Sequence, residues 1–387
     1  MSIKPAIVEH VAARFSSHFQ TKPKVLSWAP GRINIIGEHT DYNDGLALPA
    51  AINRYVAMAI APRDDNQIIF QSENYDEVFV IDVDQLATLK PEKSWHRYMV
   101  GTLCISKDLG CQLGGMSIML TGDIPAGSGL SSSAALILAL LGGLVELNQI
   151  EFDAWKLVKA SQRVEHEYLG VKCGLLDQIG SQMSVANQVL EVDFQSLQVS
   201  PTEYNLPGYS WVALHTGKSR ELAESAYQTR VTECQQALER MSALHPHVKT
   251  LRDIKDHDIQ GDDTLAKRIR HVTQENKRVK MALEYIQNDP ENLGKTLYAS
   301  HQSLRDDYEV SCDELNAMVE IARRHKACVG SRMMGGGFGG STLNLVKTEN
   351  AQEFVDTTLA EYQKQYPDLK TSALIAELVG GADSVTL

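Results

Sequence analysis

Five of the six residues from Gly335 to Gly340 (GGGFGG) are glycine. Such a run loses more backbone entropy on folding than other residues would, and it is tolerated where a backbone must pass very close to a ligand or another chain segment. A flexible loop is the plain alternative. Phe338 in the middle of the run, and the strand-like pattern Thr342 to Val346 directly after it, argue for a fixed close approach. The chain must therefore bring a bare backbone segment against something else.

A second glycine-bearing stretch, PAGSGLSSSAA (125–135), precedes a long Ala/Leu-rich helical run from Ser131 to about Leu147. Glycines let the backbone adopt positive φ. Serines and unpaired N–H groups at a helix start, with the positive end of the helix dipole, suit an anion such as a phosphate. The stretch is neither GxxxxGK[ST] nor GxGxxG. A tight turn with capping serines is the competing reading, and three consecutive serines count against it.

A third stretch, GRINIIGEHTDYNDG (31–45), turns from apolar to polar within a few residues. Glu38, His39 and Asp41 can bind a metal, recognise a polyhydroxylated ligand, or form a polar surface turn. No second histidine stands at zinc spacing. Sugar hydroxyls, which both donate and accept, match ionised carboxylates and an imidazole better. Downstream, Glu165 lies twelve residues before Asp177. One carboxylate on Mg²⁺ and the other facing a substrate hydroxyl would supply the two essentials of phosphoryl transfer. A solvated charge is the ordinary reading of either residue. Asp177 is flanked by Leu175, Leu176 and Ile179, so partial burial and a partner are expected. Arg32 is the partner we expect.

The 387 residues carry a net charge of −12 and no basic tail. The densest basic run, Lys267 to His271, is broken by Ile269 and reads as a helix face. Nucleic acid and anionic membrane are thus not expected partners. Six cysteines (104, 111, 173, 234, 312 and 328) form no CxxC, no stretch approaches the ~20 apolar residues of a membrane span, and no signal peptide is seen. A cytoplasmic protein is expected. Helices are expected at 6–19, 152–168, 221–244, 264–287, 314–324 and 351–365. Strands are expected at 25–28, up to Arg63, and at 114–122, 189–195, 210–215, 342–346 and 372–378. Character shifts near 200–215, which places an N-terminal domain at 1–205 and a C-terminal domain at 206–387. The tail from Gly380 to Leu387 offers no readable functional signal.

Taken together, these motifs resemble a known family. GRINIIGEHTDYNDG resembles the galactokinase signature, PAGSGLSSSAA the phosphate loop of the GHMP small-molecule kinases, and MMGGGFGGS their C-terminal glycine motif. CGLLDQ, RIRHVTQEN and SHQSLRDDYEVSCDEL are also similar to galactokinase segments, and the resemblance spans about 24 to 380. It implies an α+β fold of two domains, an N-terminal half like ribosomal protein S5 domain 2 and a ferredoxin-like C-terminal half, with the active site between them. It implies transfer of the ATP γ-phosphoryl, with Mg²⁺, to the anomeric hydroxyl of galactose. Asp177 would face that hydroxyl as base or charge stabiliser. Arg32 would aid the transition state, its charge favouring an ionised neighbour. Glu38, His39, Asp41, Gly174 and Tyr227 would contact the sugar, and Ser133 and Glu165 would hold Mg²⁺, with Ser132 as a substitute. Trp95 would lie near adenine, and Gly127, Ser128, Gly129, Leu130, Ser131, Ser132 and Ser133 around the triphosphate. A monomer or weak homo-oligomer is expected.

The chain departs from the family pattern at Gln228 and Val231, at His215-Thr216 where an Asn-Ser-like pair is usual, at Leu175-Leu176 and at Ser341. His215 and Val231 are expected near the sugar end. They leave open a related sugar 1-kinase (galacturonate, arabinose or N-acetylgalactosamine) and, further off, a non-catalytic sugar sensor.

Overall fold

The computed structural model describes residues 4–125, 127–151, 153–218 and 223–387. The chain opens with α1 (Ala6–Phe19), β1 (Val25–Asn34), β2 (Leu46–Ala47), β3 (Pro49–Pro62), β4 (Gln67–Ser72) and β5 (Glu77–Asp82). Then come α2 (Ser94–Asp108), β6 (Met116–Gly122), α3 (Ser132–Leu147), α4 (Ala154–Val164), α5 (Leu176–Met183), β7 (Gln188–Asp193) and β8 (Gln198–Glu203). The second half holds β9 (Tyr209–His215), α6 (Ala223–Leu244), α7 (Thr264–Tyr285), α8 (Pro290–Asp306) and α9 (Asp313–Arg324). It ends with β10 (Cys328–Met334), β11 (Ser341–Lys347), α10 (Ala351–Gln365), β12 (Ser372–Ala376) and β13 (Asp383–Thr386).

A six-stranded sheet has the order β13-β1-β3-β6-β4-β5, a four-stranded sheet the order β10-β11-β9-β12, and a small sheet joins β2, β7 and β8. β1 is buried along its whole length because both of its faces are covered. On one face α1 seats Val8, Val11 and Phe15, spaced for one helical stripe, against Leu26, Trp28 and Ala57. On the other face α3 buries Ile137, Leu138 and Leu141 in the main core. The four-stranded sheet packs Val212, Leu214 and Val346 against α9 and α10 through Met318, Ile321 and Phe354.

Several expectations need adjusting. The first strand does not stop at Trp28 but runs to Asn34, with a bulge between Pro30 and Arg32. The tail, where no strand was expected, forms β13 and pairs with the edge of β1, Val25 opposite Thr386. Strands β4, β5, β8 and β10 and helices α2, α5 and α8 carried no sequence expectation. The start of the helix expected from Glu221 lies outside the described residues. The basic run sits on α7 and is structural. Arg268 is buried and pairs with Glu233 at 2.6 Å and Glu309 at 2.8 Å, and Arg270 pairs with Asp307 at 2.8 Å.

Candidate active site

The site forms where four backbone segments converge: the end of β1, the loop 37–45, the start of α3, and the glycine run between β10 and β11. Gly31 explains the first approach. A Cβ there would stand 2.6 Å from the Leu130 carbonyl oxygen, so only glycine lets the 127–131 loop lie against β1. Arg32 N then donates to that carbonyl at 3.0 Å. The Arg32 side chain, almost fully buried, donates from Nη1 to the Gly129 carbonyl and from Nη2 to Asp177 Oδ1 at 2.5 Å. The partner expected for Asp177 is thus found. Asp177 sits in the first turn of α5, which Ser181 fastens to β1 by donating to the Pro30 carbonyl at 2.6 Å.

Loop 37–45 is held by its own polar atoms. Thr40 Oγ1 lies 2.8 Å from the carbonyls of both Gly37 and Leu46, and Asn43 Nδ2 donates to the His39 carbonyl at 2.8 Å. His39 is held at φ 61°, an unusual backbone for a residue with a side chain. Its Nδ1 lies 2.7 Å from the Tyr42 hydroxyl, and burial drops its pKa to about 3, so the ring is neutral. Asp41 is pushed up to about 7, first by burial and then by the charges of Asp177 and Glu38. Glu38 is buried; its Oε1 accepts from Arg332 Nη2 at 2.7 Å and from Gly335 N at 2.7 Å. The glycine run does make the close approach its composition implied, at Gly337, where an added Cβ would stand 2.2 Å from the Val310 carbonyl oxygen, while Gly335 N reaches the Glu38 carboxylate of loop 37–45.

α3 begins at Ser132, preceded by Ser131 at φ 61°, with Gly127 and Gly129 at φ 70° and 78°. Ser341 Oγ donates to the Ser128 carbonyl at 2.7 Å, which ties the loop to β11. Ser128, Leu130 and Ser131 are buried, so their side chains are turned away and the loop offers mainly backbone. Ser133 Oγ donates to Glu165 Oε1 at 2.9 Å. Glu165 opens a single π-type turn (Glu165–Leu169), a distortion that re-aims side chains. Burial raises its pKa to about 7, against hydrogen bonds from Cys173, Ser133 and Gln178.

A cavity of about 500 Å³ collects Arg32, Glu38, His39, Asp41, Gly127, Ser133, Glu165, Gly174, Asp177 and Tyr227 on its wall. Ten residues singled out in the sequence thus meet in one place. Gly174 is explained there: an added Cβ would overlap the Asp41 carboxylate. A second cavity, also about 500 Å³, holds Trp95, Ser132 and Tyr75 and shares Tyr98 and Ser133 with the first. Tyr75 stacks on Trp95 with ring centres 5.4 Å apart. The phosphate-type loop lies between the two chambers.

Sequence reasoning missed Tyr98, Cys173, Tyr75 and Arg332. Tyr98 follows Trp95 by one helical turn, a signal that was available. His215 and Val231 do not line the cavity, which corrects their expected place; Gln228 does. His215 Nδ1 instead accepts from Gly217 N at 3.1 Å. Among the described residues no group of three or more His, Cys, Asp or Glu is placed to hold a metal alone. Ser133 and Glu165 nonetheless form a hard oxygen pair, the donor type Mg²⁺ takes when phosphates and water complete its shell.

Family models match in three places: the galactokinase galactose-binding signature over 13–62, the GHMP kinases N terminal domain over 97–184, and the GHMP kinases C terminal over 282–364. The galactokinase of Chloroflexus aggregans is 36% identical over 360 residues, covering 91% of each chain. That of Clostridium acetobutylicum is 33% identical over 391 residues, covering 98% of this chain and 99% of its own. The chain belongs to the galactokinase family. Among solved structures, Lactococcus lactis galactokinase complexed with galactose superposes with a TM-score of 0.90 at 33% identity, covering 99% of this chain and 100% of that one. A mevalonate kinase at 17% identity and a TM-score of 0.67 shares the fold alone. The galactokinase-type α+β fold, with its GHMP N- and C-terminal parts, is therefore as the motifs implied. No helix among the described residues is long and apolar enough to cross a membrane.

Proposed function

We propose that the protein transfers the γ-phosphoryl group of ATP to the anomeric hydroxyl of galactose, giving galactose 1-phosphate and ADP, with the roles assigned below. The observation that carries the reading is the Arg32–Asp177 pair at 2.5 Å, opening on one cavity wall that also holds Glu38, His39 and Asp41 and touches the start of α3. Acceptor recognition and phosphate recognition thus share one chamber wall.

The sugar occupies the first cavity, with Glu38, His39, Asp41, Tyr227 and the Gly174 backbone around its hydroxyls. ATP places its phosphates along 127–133 at the start of α3, where free N–H groups and the helix dipole favour anions. Its base lies in the second chamber beside Trp95 and Tyr75. Mg²⁺, held by Ser133 and Glu165 together with phosphate oxygens, would neutralise charge on the phosphates when bound.

The sugar O1 attacks the γ-phosphorus, the bond to the ADP oxygen breaks, and the O1 proton passes to Asp177 or is released as charge develops. Arg32 stands beside both Asp177 and the Gly129 carbonyl, so its guanidinium sits where negative charge is redistributed. The protein acts by positioning and electrostatics, with no covalent intermediate. The same reading takes the chain as a cytoplasmic protein; all six cysteines are free.

The test is ADP release from Mg-ATP with galactose, glucose, N-acetylgalactosamine, galacturonate and arabinose. Turnover with galactose well above the others is expected. Turnover confined to another sugar would overturn the assignment.

A further inference from the structure

This inference rests on the assignment of the first cavity to the sugar. The hydrogen bonds that the Glu38 carboxylate accepts among the described residues fall on one oxygen. Oε1 takes Arg332 Nη2 at 2.7 Å, Arg332 Nη1 at 3.3 Å and Gly335 N at 2.7 Å, while Oε2 takes none. Glu38 nevertheless lines the cavity. Oε2 is thus the atom left to accept from a ligand.

Arg332 lies on β10, fully buried and absent from the cavity wall. Besides Glu38 it donates to the carbonyls of Ile35 at 3.1 Å, Met333 at 3.0 Å and Asn34 at 3.3 Å. Those five contacts match the five N–H groups of a guanidinium, so no donor remains for a ligand. Donors from Arg332 and Gly335 thus converge on Oε1 and pin where that oxygen sits, a multi-donor geometry a lysine point charge cannot reproduce. Stability alone is a poor reason for such a pair, because buried ion pairs are often replaceable by apolar residues at little cost. Gly335 adds a second link. It opens the glycine run, so this run and Arg332 are registered to the same oxygen.

We propose that Arg332 is a positioning residue for sugar recognition: it locks Glu38 with Oε2 presented to the cavity and, with Gly335, sets the glycine run against the sugar loop. The residue joins the two halves of the site without touching either substrate. Its substitution should therefore act on the sugar and spare the nucleotide.

The experiment compares Arg332→Lys, Glu38→Gln and the double variant Glu38→Gln/Arg332→Met with the parent protein. It measures melting temperature, galactose KM, ATP KM and kcat. Arg332→Lys should raise galactose KM roughly tenfold to a hundredfold, the loss expected when a charge-assisted hydrogen bond is misplaced. ATP KM and kcat at saturating galactose should stay within about threefold of the parent, a change worth well under one kcal/mol. In the Glu38→Gln background, removing Arg332 should add little, since the two act through one carboxylate. The double variant also keeps the test alive if Arg332→Lys folds poorly, because it leaves no buried charge unpaired. An unchanged galactose KM in Arg332→Lys, equal losses toward ATP, or additive effects in the double variant would overturn the proposal. An unchanged galactose KM in Glu38→Gln would overturn the cavity assignment itself, and the role of Arg332 with it.

Discussion

Replacing Gly174 by alanine adds one carbon at a crowded point on the wall of the first cavity, the one proposed to hold the sugar. The new Cβ would lie 2.9 Å from Asp41 Cβ and closer still to its carboxylate, whereas ordinary contact begins at 3.4 Å. The nearer carboxylate oxygen, 1.9 Å from the new Cβ, must therefore retreat by about 1.5 Å or rotate away from the cavity, and even a misplacement of about 1 Å in a positioned group costs on the order of a hundredfold. Because Asp41 is proposed to hold the sugar and not the nucleotide, the loss should appear as a rise in galactose KM of ~30- to 100-fold. Overpacking costs about 1–3 kcal/mol, so the variant should fold with a lower melting temperature. The assay is steady-state ADP release, titrating each substrate at saturation of the other, with melting followed in parallel. A galactose KM equal to that of the parent would refute the argument, because Gly174 would then not be reserved for Asp41.

Asp41→Asn should make the protein more stable but a weaker sugar binder. The folded carboxyl holds its proton up to about 7, above the ordinary aspartate value of 3.8, so the folded state binds more protons between those values. The stability from this group is full below the lower value and is lost as pH rises through the upper one. The variant should thus melt higher than the parent at pH 8, with the gap closing toward pH 4; a gap independent of pH would count against the shift. Ser341→Ala removes the donor to the Ser128 carbonyl and should raise ATP KM about twofold to tenfold with galactose KM unchanged. Kinetics that move only the galactose term would show that this contact does not serve the phosphate loop.

The parts of the site that the sequence displays are those built from local chemistry. Gly31, Glu38, His39 and Asp41 lie within eleven residues, and the serines of 131–133 open their own helix, so composition and turn signals reveal them. α1 and α10 were legible because their apolar stripes repeat at helical spacing. Contacts set by tertiary pairing were not legible. Arg332 stands three residues before the glycine run, yet nothing local says that its fork meets Glu38, 294 positions away. β13 was missed because Asp383–Thr386 is mostly exposed and short, and it becomes a strand by completing the edge of β1. β4 and β5 were missed although they alternate, since Val78 and Val80 face solvent and blur the apolar signal. His215 and Val231 were misplaced because a sequence offset does not fix which helix face or strand side turns to a cavity.

The central claim is that Asp177, held by Arg32, faces the hydroxyl that receives the phosphoryl group. The direct measurement is Asp177→Asn, with ADP release read at saturating galactose and Mg-ATP and galactose binding read separately by calorimetry. The geometry predicts a kcat lower by ~10²- to 10⁴-fold, the usual contribution of a positioned proton acceptor, with galactose still bound. A variant that turns over at close to the parental rate would contradict it.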